Sequence, residues 1–474
     1  MTRRSRPTPR PPVAVLILLA LLLPLIAACG GAAASSQMAA VPTHPPVEAA
    51  PGSIAAAPTA PPAAAPMAAE KPAGAPAADA AVVAPVVAPE AAAPVAMSAA
   101  ATAAPAAASG IVAQPTPPAP APGGQQYSPL KAGEIDDNGD FATYLDYLRS
   151  YSGAPAHPVD VSERYILTVT DARQQPVLDA RVRLFDGQQQ IFEGRTYAGG
   201  KTIVFPRALG ISENAARLRV LIEKGNSRAE GTLDRGQDAT QSFVLRGAEA
   251  LPQTPRLDVL FLLDSTGSMG DEIARIQQTI ASIAERIDQI QPRPQLRFGL
   301  VAYRDRGDDY VTRVYDFVPD VAAFREVLLG ISAGGGGDEP ESLNEALHAA
   351  VERVQWAEDA VRLTFLVADA PPHLDYAQDY DYVSEARAAV AKGIKIYSIA
   401  ASNSGDEAEY VFRQLAQQTL GRFIFLTYQP GQNAGAPGDT TTHHVDPQAF
   451  SVERLDDLVV QVVRRELAEA QGVA

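Results

Sequence analysis

Asp264, Thr266 and Ser268 stand at alternating positions in the stretch Asp264-Ser-Thr-Gly-Ser268. A carboxylate and two hydroxyls at that spacing can converge on one side of a tight loop. Hard oxygen ligands of this kind suit Mg²⁺, which keeps several waters and takes few protein ligands. The apolar run Leu257–Leu263 precedes the stretch, and a helical pattern, Met269–Ile290, follows it. Strand, oxygen-rich loop and helix therefore come in immediate succession. The loop falls at the carboxyl end of a predicted parallel strand, where open α/β sheets place their ligands.

The elements that must hold this loop follow from periodicity. Residues 256–470 alternate apolar strands (Leu257–Leu263, Leu296–Ala302, Val361–Ala368, Ile394–Ala400, Arg422–Leu426) with helical patterns (Asp271–Ile290, Asp320–Ile331, Glu341–Val354, Tyr382–Lys392, Asp406–Gln418), and end in an amphipathic helix, Val452–Ala470. Thr312–Val318 reads as an added antiparallel edge strand. Continuous apolar strands separated by helices predict an α/β fold, a doubly wound, mostly parallel sheet covered on both faces. Upstream, residues 161–246 contain short alternating strands separated by turn signals such as Asp186-Gly187 and Lys224-Gly225-Asn226, the pattern of a small all-β sandwich. Ala198-Gly-Gly-Lys-Thr202 looks like the tail of a phosphate loop. However, Arg195 occupies the first glycine's place and no helix follows, so it reads as a hairpin turn. Residues 127–160 form a boundary segment with one short helix, Phe141–Leu148, capped by Asp140; the acidic run Asp136–Asp140 reads as cap and turn chemistry.

Residues 29–126 are nearly all Ala, Pro, Val, Ser, Thr and Gly, too rich in Pro for helix and too poor in large apolar side chains for a core. A disordered tether is predicted, spanning roughly 55 Å as a flexible coil. Before it, residues 1–28 combine Arg3, Arg4, Arg6 and Arg10 with the interrupted apolar run Val13–Ile26, which is a signal peptide pattern and not a membrane span. The chain has 474 residues and a net charge of −16, which argues against nucleic-acid partners, whose phosphates call for a basic face. Cys29 is the single cysteine, so no intramolecular disulfide can form.

Asp264-Ser-Thr-Gly-Ser-Met269, with Tyr303-Arg304-Asp305, Gly335-Gly-Gly-Asp338-Glu-Pro-Glu341 and Asp369-Ala-Pro-Pro-His373, resembles the metal-ion-dependent adhesion site of von Willebrand factor type A domains, in a hemicentin-like variant. The resemblance covers roughly residues 257–468 and implies a Rossmann-like type A domain. It implies that Thr266 and Ser268 bind a divalent cation (Mg²⁺, or Mn²⁺ or Ca²⁺) directly, and that Asp264 and Asp369 act mainly through water. One coordination position is left for an Asp or Glu of a partner protein. Integrin-type sites place a threonine in the second loop. This chain has no hydroxyl there until Ser342, and Asp338 is the natural substitute ligand. Asp305 is expected to orient a water or hydroxyl from outside the ligand set, or else to pair with Arg304 or Arg306. The stretch from Val169-Thr-Asp171 through Gly199-Gly200 to Phe205 resembles carboxypeptidase regulatory-like, transthyretin-type sandwiches, and Ile26-Ala-Ala-Cys29 resembles a bacterial lipobox, implying lipidation of Cys29 and an envelope-anchored lipoprotein.

His373 reads as structural, because Pro371 and Pro372 fix its turn. His443 and His444 read as members of a solvated loop. Gly330-Ile-Ser-Ala-Gly334 has the letters of Gly-x-Ser-x-Gly but stands at the end of the helical pattern Asp320–Ile331 and not after a strand, so it makes no nucleophile elbow, and the chain has no His-Glu-x-x-His helix. The expected function is therefore a non-enzymatic, cation-dependent protein-binding module. A lipoprotein whose metal only braces the loops and a metal-assisted hydrolase are the alternatives.

Overall fold

The computed structural model describes residues 129–474, apart from 154–155, 249–250, 253, 402–403, 428–442, 447 and 474. The signal segment, Cys29 and the tether lie outside the described residues, as does most of the loop 427–448. Everything described belongs to one unit, Gln114–Ala474.

The first elements are β1 (Lys131–Ile135) and α1 (Phe141–Ser150). The acidic run before α1 does turn and cap work. Asp136 Oδ1 accepts from the Asn138 and Gly139 amides, and Asp140 Oδ1 accepts from the Thr143 amide. Asp137 is buried and takes the Arg413 guanidinium, with Nε at 2.9 Å.

Seven strands then build the sandwich: β2 (Tyr165–Thr170), β3 (Arg181–Asp186), β4 (Gln189–Arg195), β5 (Lys201–Val204), β6 (Arg217–Lys224), β7 (Ser227–Asp234) and β8 (Thr240–Val244). One sheet has the order β5-β2-β8 and the other β4-β3-β6-β7. Leu167, Val169, Val182, Leu184, Val220 and Ile222 fill the space between them. The Ala198–Gly200 turn leads into β5 and not into a helix, as a phosphate loop would. Gly200 sits at φ +69°, and a Cβ there would stand 2.2 Å from the Val169 carbonyl oxygen. Gly200→Ala is therefore expected to cost about 1–3 kcal/mol in backbone strain. An unchanged urea midpoint would contradict this.

The remaining chain forms β9 (Arg256–Asp264), α2 (Ile273–Asp288), β10 (Gln295–Tyr303), β11 (Thr312–Val318), α3 (Val321–Leu329), α4 (Leu343–His348), β12 (Ala360–Ala368), α5 (Tyr382–Lys392), β13 (Ile394–Ala400), α6 (Asp406–Gln418), β14 (Phe423–Leu426), β15 (Glu453–Arg454) and α7 (Leu455–Ala470). The sheet order is β11-β10-β9-β12-β13-β14-β1-β15. The five strands from β10 to β14 are parallel, while β11, β1 and β15 add antiparallel edges. Successive β9 side chains point to opposite faces. Val259, Phe261 and Leu263 meet α2, α3 and α7, whereas Leu260 and Leu262 meet α4, α5 and α6. α2 buries Ile273, Ile276, Ile280, Ile283 and Ile287, a stripe at helical spacing. Asp381 caps α5 at its start, and Gly393, at φ +65°, ends it. This is the doubly wound α/β architecture expected from the sequence.

Three strands, β7, β1 and the two-residue β15, carry too little local signal to be read in advance, and β15 takes the start of the helix expected from Val452. β7 offers only Ala229, Gly231 and Leu233 to the core, and Gly231 leaves room for the Phe243 ring. β1 comes from the segment read as a boundary and pairs Ala132 with Leu426. A Cβ on Gly133 would stand 2.6 Å from Phe425 and 2.7 Å from Phe450, so close ring packing requires glycine there.

The sandwich is joined to the α/β part by a buried ion pair. Arg362 Nη1 and Nη2 donate to Asp179 Oδ1 and Oδ2 at 2.8 and 2.9 Å. Arg195 Nη1 and the Asp359 amide donate to the same carboxylate. No helix among the described residues is long and apolar enough to cross a membrane.

Candidate metal centre

Strand β9 is flanked in parallel register by β10 and β12, so the loops that leave all three meet at one edge of the sheet. Asp264 ends β9 fully buried, opposite Tyr303. Its Oδ1 accepts from the Thr266 amide at 2.9 Å and from Thr266 Oγ1 at 2.7 Å. Thr266 Oγ1 lies 3.1 Å from Ser268 Oγ, and Ser268 Oγ donates to Asp369 Oδ1 at 3.1 Å. Four of the five expected ligands, Asp264, Thr266, Ser268 and Asp369, are thus brought into one hydrogen-bonded chain. Ser268 is the exposed member.

The glycine run closes over them. Gly334 N donates to Ser265 O, and Gly267 N donates to Gly335 O, both at 3.0 Å. Gly335 and Gly336 adopt φ of +78° and +70°. A Cβ on Gly336 would sit 2.6 Å from Glu341 Oε1 and 3.4 Å from Thr266 Cβ. Glu341 is therefore the second-loop carboxylate that faces Thr266. It is 2% exposed. Its backbone is clamped to the third loop: its amide donates to Pro371 O and its carbonyl accepts from the His373 amide.

Asp338 is placed elsewhere. Its exposed carboxylate clusters with Asp305 and His373, with one ligand atom from each within 4.8 Å of the others. Asp305 pairs with neither neighbouring arginine. It accepts from Ser342 Oγ at 2.9 Å and from the Tyr376 hydroxyl at 2.8 Å. Arg304 donates to the Ser265 and Ser332 carbonyls, while Arg306 pairs with Glu345 and Asp379. Sequence reasoning quoted Glu341 as part of the motif but gave it no role. The signal was there, a further carboxylate three residues after Asp338 and beyond Glu339, but its direction is set by pairing with the third loop.

The electrostatics are those of crowded, buried acids. Burial pushes Asp264 up to about 6. Burial and then Asp264 push Asp369 up to about 7. Glu341 reaches about 9 through burial, with Asp264, Asp305 and Asp369 adding to it. The largest contributions to these three shifts are burial and neighbouring carboxylates, with none from a basic group. Asp264 Oδ2 and Glu341 Oε2 are buried and have no hydrogen-bond partner. Unpaired buried carboxylate oxygens are costly, and an oxygen set of this charge fits a hard divalent cation. The other histidines among the described residues have protein partners. His443 is not solvated: its side chain is buried against Phe423 and Phe425, with Nδ1 3.3 Å from Glu409 Oε2.

Comparison with known proteins bears on the α/β part of the chain. Residues 258–427 match the family model of the von Willebrand factor A domain. Over 141 residues the chain is 36% identical to von Willebrand factor A domain-containing protein 7 of Rattus norvegicus, covering 30% of this chain and 14% of that protein. Over 127 residues it is 28% identical to alpha-protein kinase vwkA of Dictyostelium discoideum, covering 26% and 20%. The chain thus spans about a fifth or less of these relatives. Among solved structures, BatB from Bacteroides thetaiotaomicron is similar at 15% identity and a TM-score of 0.31, over 44% of this chain and 98% of that one. What the matches share is the von Willebrand factor A domain, over residues 258–427 of this chain.

Proposed function

We propose that this chain is a divalent-cation-dependent protein-binding module that captures an Asp or Glu side chain of a partner. Asp264, Thr266, Ser268 and Asp369, with Glu341 in the role the sequence offered to Asp338, would hold Mg²⁺, Mn²⁺ or Ca²⁺. The observation that carries this reading is the pair of buried, unpartnered oxygens, Asp264 Oδ2 and Glu341 Oε2, among three acids whose pKa values are all raised. When bound, the cation would supply the positive centre that a partner carboxylate completes. Three surrounding carboxyl groups dilute that pull, so modest partner affinity is expected. Lipid on Cys29 and the Ala/Pro-rich tether would anchor the module at an envelope membrane. Membrane fractionation of Cys29→Ser tests the anchor, and retention of the variant in the membrane would refute it.

Titration calorimetry of Mg²⁺, Mn²⁺ and Ca²⁺ into the full chain tests the cation site. Expected is one such ion per chain, lost in Asp264→Ala; uptake equal in both proteins would refute the reading. The burial of Asp264 and Thr266 favours a second reading, in which the ion only braces the loops. Water-proton relaxation by bound Mn²⁺ separates the two, because an ion with an open position relaxes bulk water and a sealed ion does not.

The raised acids also fix a pH dependence. Groups whose folded pKa lies above the unfolded value stabilise the fold at low pH, and that contribution is lost as pH rises through the folded pKa. For Asp264, Asp369 and Glu341 the loss runs through about 6, 7 and 9. In chelator, these groups should therefore lower the melting temperature between pH 5.5 and 8.5. The gain from added Mg²⁺ should grow over the same range, since the cation displaces protons. A Mg²⁺ gain independent of pH would contradict this.

A further inference from the structure

The Asp305, Asp338 and His373 cluster stands apart from the hydrogen-bonded chain that links Asp264 to Asp369. His373 is 3% exposed. Its Nδ1 lies 2.8 Å from Asp375 Oδ1. An ionised carboxylate only accepts, so in the neutral ring Nδ1 carries the proton and Nε2 presents a lone pair. That Nε2 is buried with no hydrogen-bond partner and points at Asp305 Oδ1, 3.5 Å away. Two acceptors thus face one another across a gap too long for a hydrogen bond, with the Asp338 carboxylate closing the third side.

The gap has the dimensions of a metal site. Bonds of 2.0–2.2 Å at the tetrahedral angle put neighbouring N and O ligands roughly 3.3–3.6 Å apart. The supports are those of a metal-binding histidine, whose other nitrogen donates to a carboxylate, and of a metal-binding carboxylate, itself hydrogen-bonded. Asp375 serves the first role, and Ser342 and Tyr376 the second. The Tyr376 ring also stacks on His373, with centroids 3.8 Å apart at 13°, and locks the imidazole. Two of the three ligands are therefore fixed on buried walls before any ion arrives, and the exposed Asp338 is the one left to close.

We propose that Asp305, Asp338 and His373 form a second divalent-cation site, beside the all-oxygen site and distinct from it. One imidazole and two carboxylates suit a borderline transition ion of the Zn²⁺ class better than Mg²⁺. Three protein ligands leave a coordination position for water. The ion would tie Asp338, and with it the glycine run over Thr266, to the loops that follow β10 and β12. This inference does not depend on cation binding at Asp264.

The test titrates Co²⁺, then Zn²⁺, into the full chain under saturating Mg²⁺. Expected is one equivalent of Co²⁺ with the visible absorption of a low-coordinate, nitrogen-ligated ion, displaced by Zn²⁺ and retained in Asp264→Asn. His373→Ala should weaken uptake roughly tenfold or more. Asp338→Asn should do the same, and its exposed side chain is not needed for folding. The proposal is overturned if no Co²⁺ binds beside Mg²⁺, if binding survives both Asp338→Asn and His373→Ala, or if Asp264→Asn alone removes it.

Discussion

Asp264→Asn is expected to abolish the cation response of the α/β domain and, at the same time, to raise the melting temperature of the metal-free protein at pH 8. The asparagine Oδ1 can keep both bonds that Asp264 Oδ1 accepts from Thr266. What changes is the other end of the side chain. The buried Oδ2 becomes a donor, and the charge of Asp264 beside Asp369 disappears, while Glu341, raised to about 9, is still largely protonated at this pH. The wild-type protein should behave in the opposite way. A cation at a hundred times its dissociation constant stabilises the state that binds it by about 2.7 kcal/mol. For a domain of this size that is a gain on the order of 5–10 °C. Differential scanning calorimetry with chelator and with Mg²⁺ therefore gives a crossed pattern, the variant higher without metal and the wild type higher with it. Parallel shifts in the two proteins would show that Asp264 is not where the cation acts.

Asp179→Ala should destabilise the whole described unit by about 3–5 kcal/mol, the usual cost of leaving a buried charge without its partner. Burial alone would raise the Asp179 pKa, but Arg362 and Arg195 beside it bring it below the ordinary value, so the group is ionised and engaged at neutral pH. Its removal strands the Arg362 guanidinium, which is itself buried at the contact between sandwich and α/β sheet. The melting temperature should fall on the order of 10 °C. The double variant Asp179→Leu with Arg362→Met should recover most of the loss, because an apolar pair of similar volume carries no desolvation cost. If Asp179→Ala melts with the parent, the two parts are held together by their apolar contacts, with Leu178 and Ala198 packed in the α/β core, and not by the ion pair.

How far the sequence could be read depended on the range of the interactions involved. The five parallel strands and the helices between them were legible because each carries its own periodicity, from the apolar run of β9 to the five isoleucines of α2. The same holds for Asp264, Thr266 and Ser268, whose convergence needs only one short loop. β7 was not legible, because its inward residues are an alanine, a glycine and a leucine. Nor was β1, whose place in the sheet is decided by its pairing with β14.

The sequence by itself determined the fold class, the position of the oxygen-rich loop at a strand end and most of the residues that could ligate a cation there. All of these follow from local alternation and turn chemistry. Only the tertiary structure decided which second-loop carboxylate faces Thr266, that Asp338 joins Asp305 and His373 instead, and that the sandwich is fastened to the sheet through Asp179 and Arg362. Each of those outcomes depends on the meeting of segments far apart in the chain: the bonds from Glu341 to the loop of Pro371 and His373, and the reach of Arg362 on β12 to a carboxylate before β3. Side-chain direction at such meetings is set by the pairing of the two backbones, and neither segment encodes it alone.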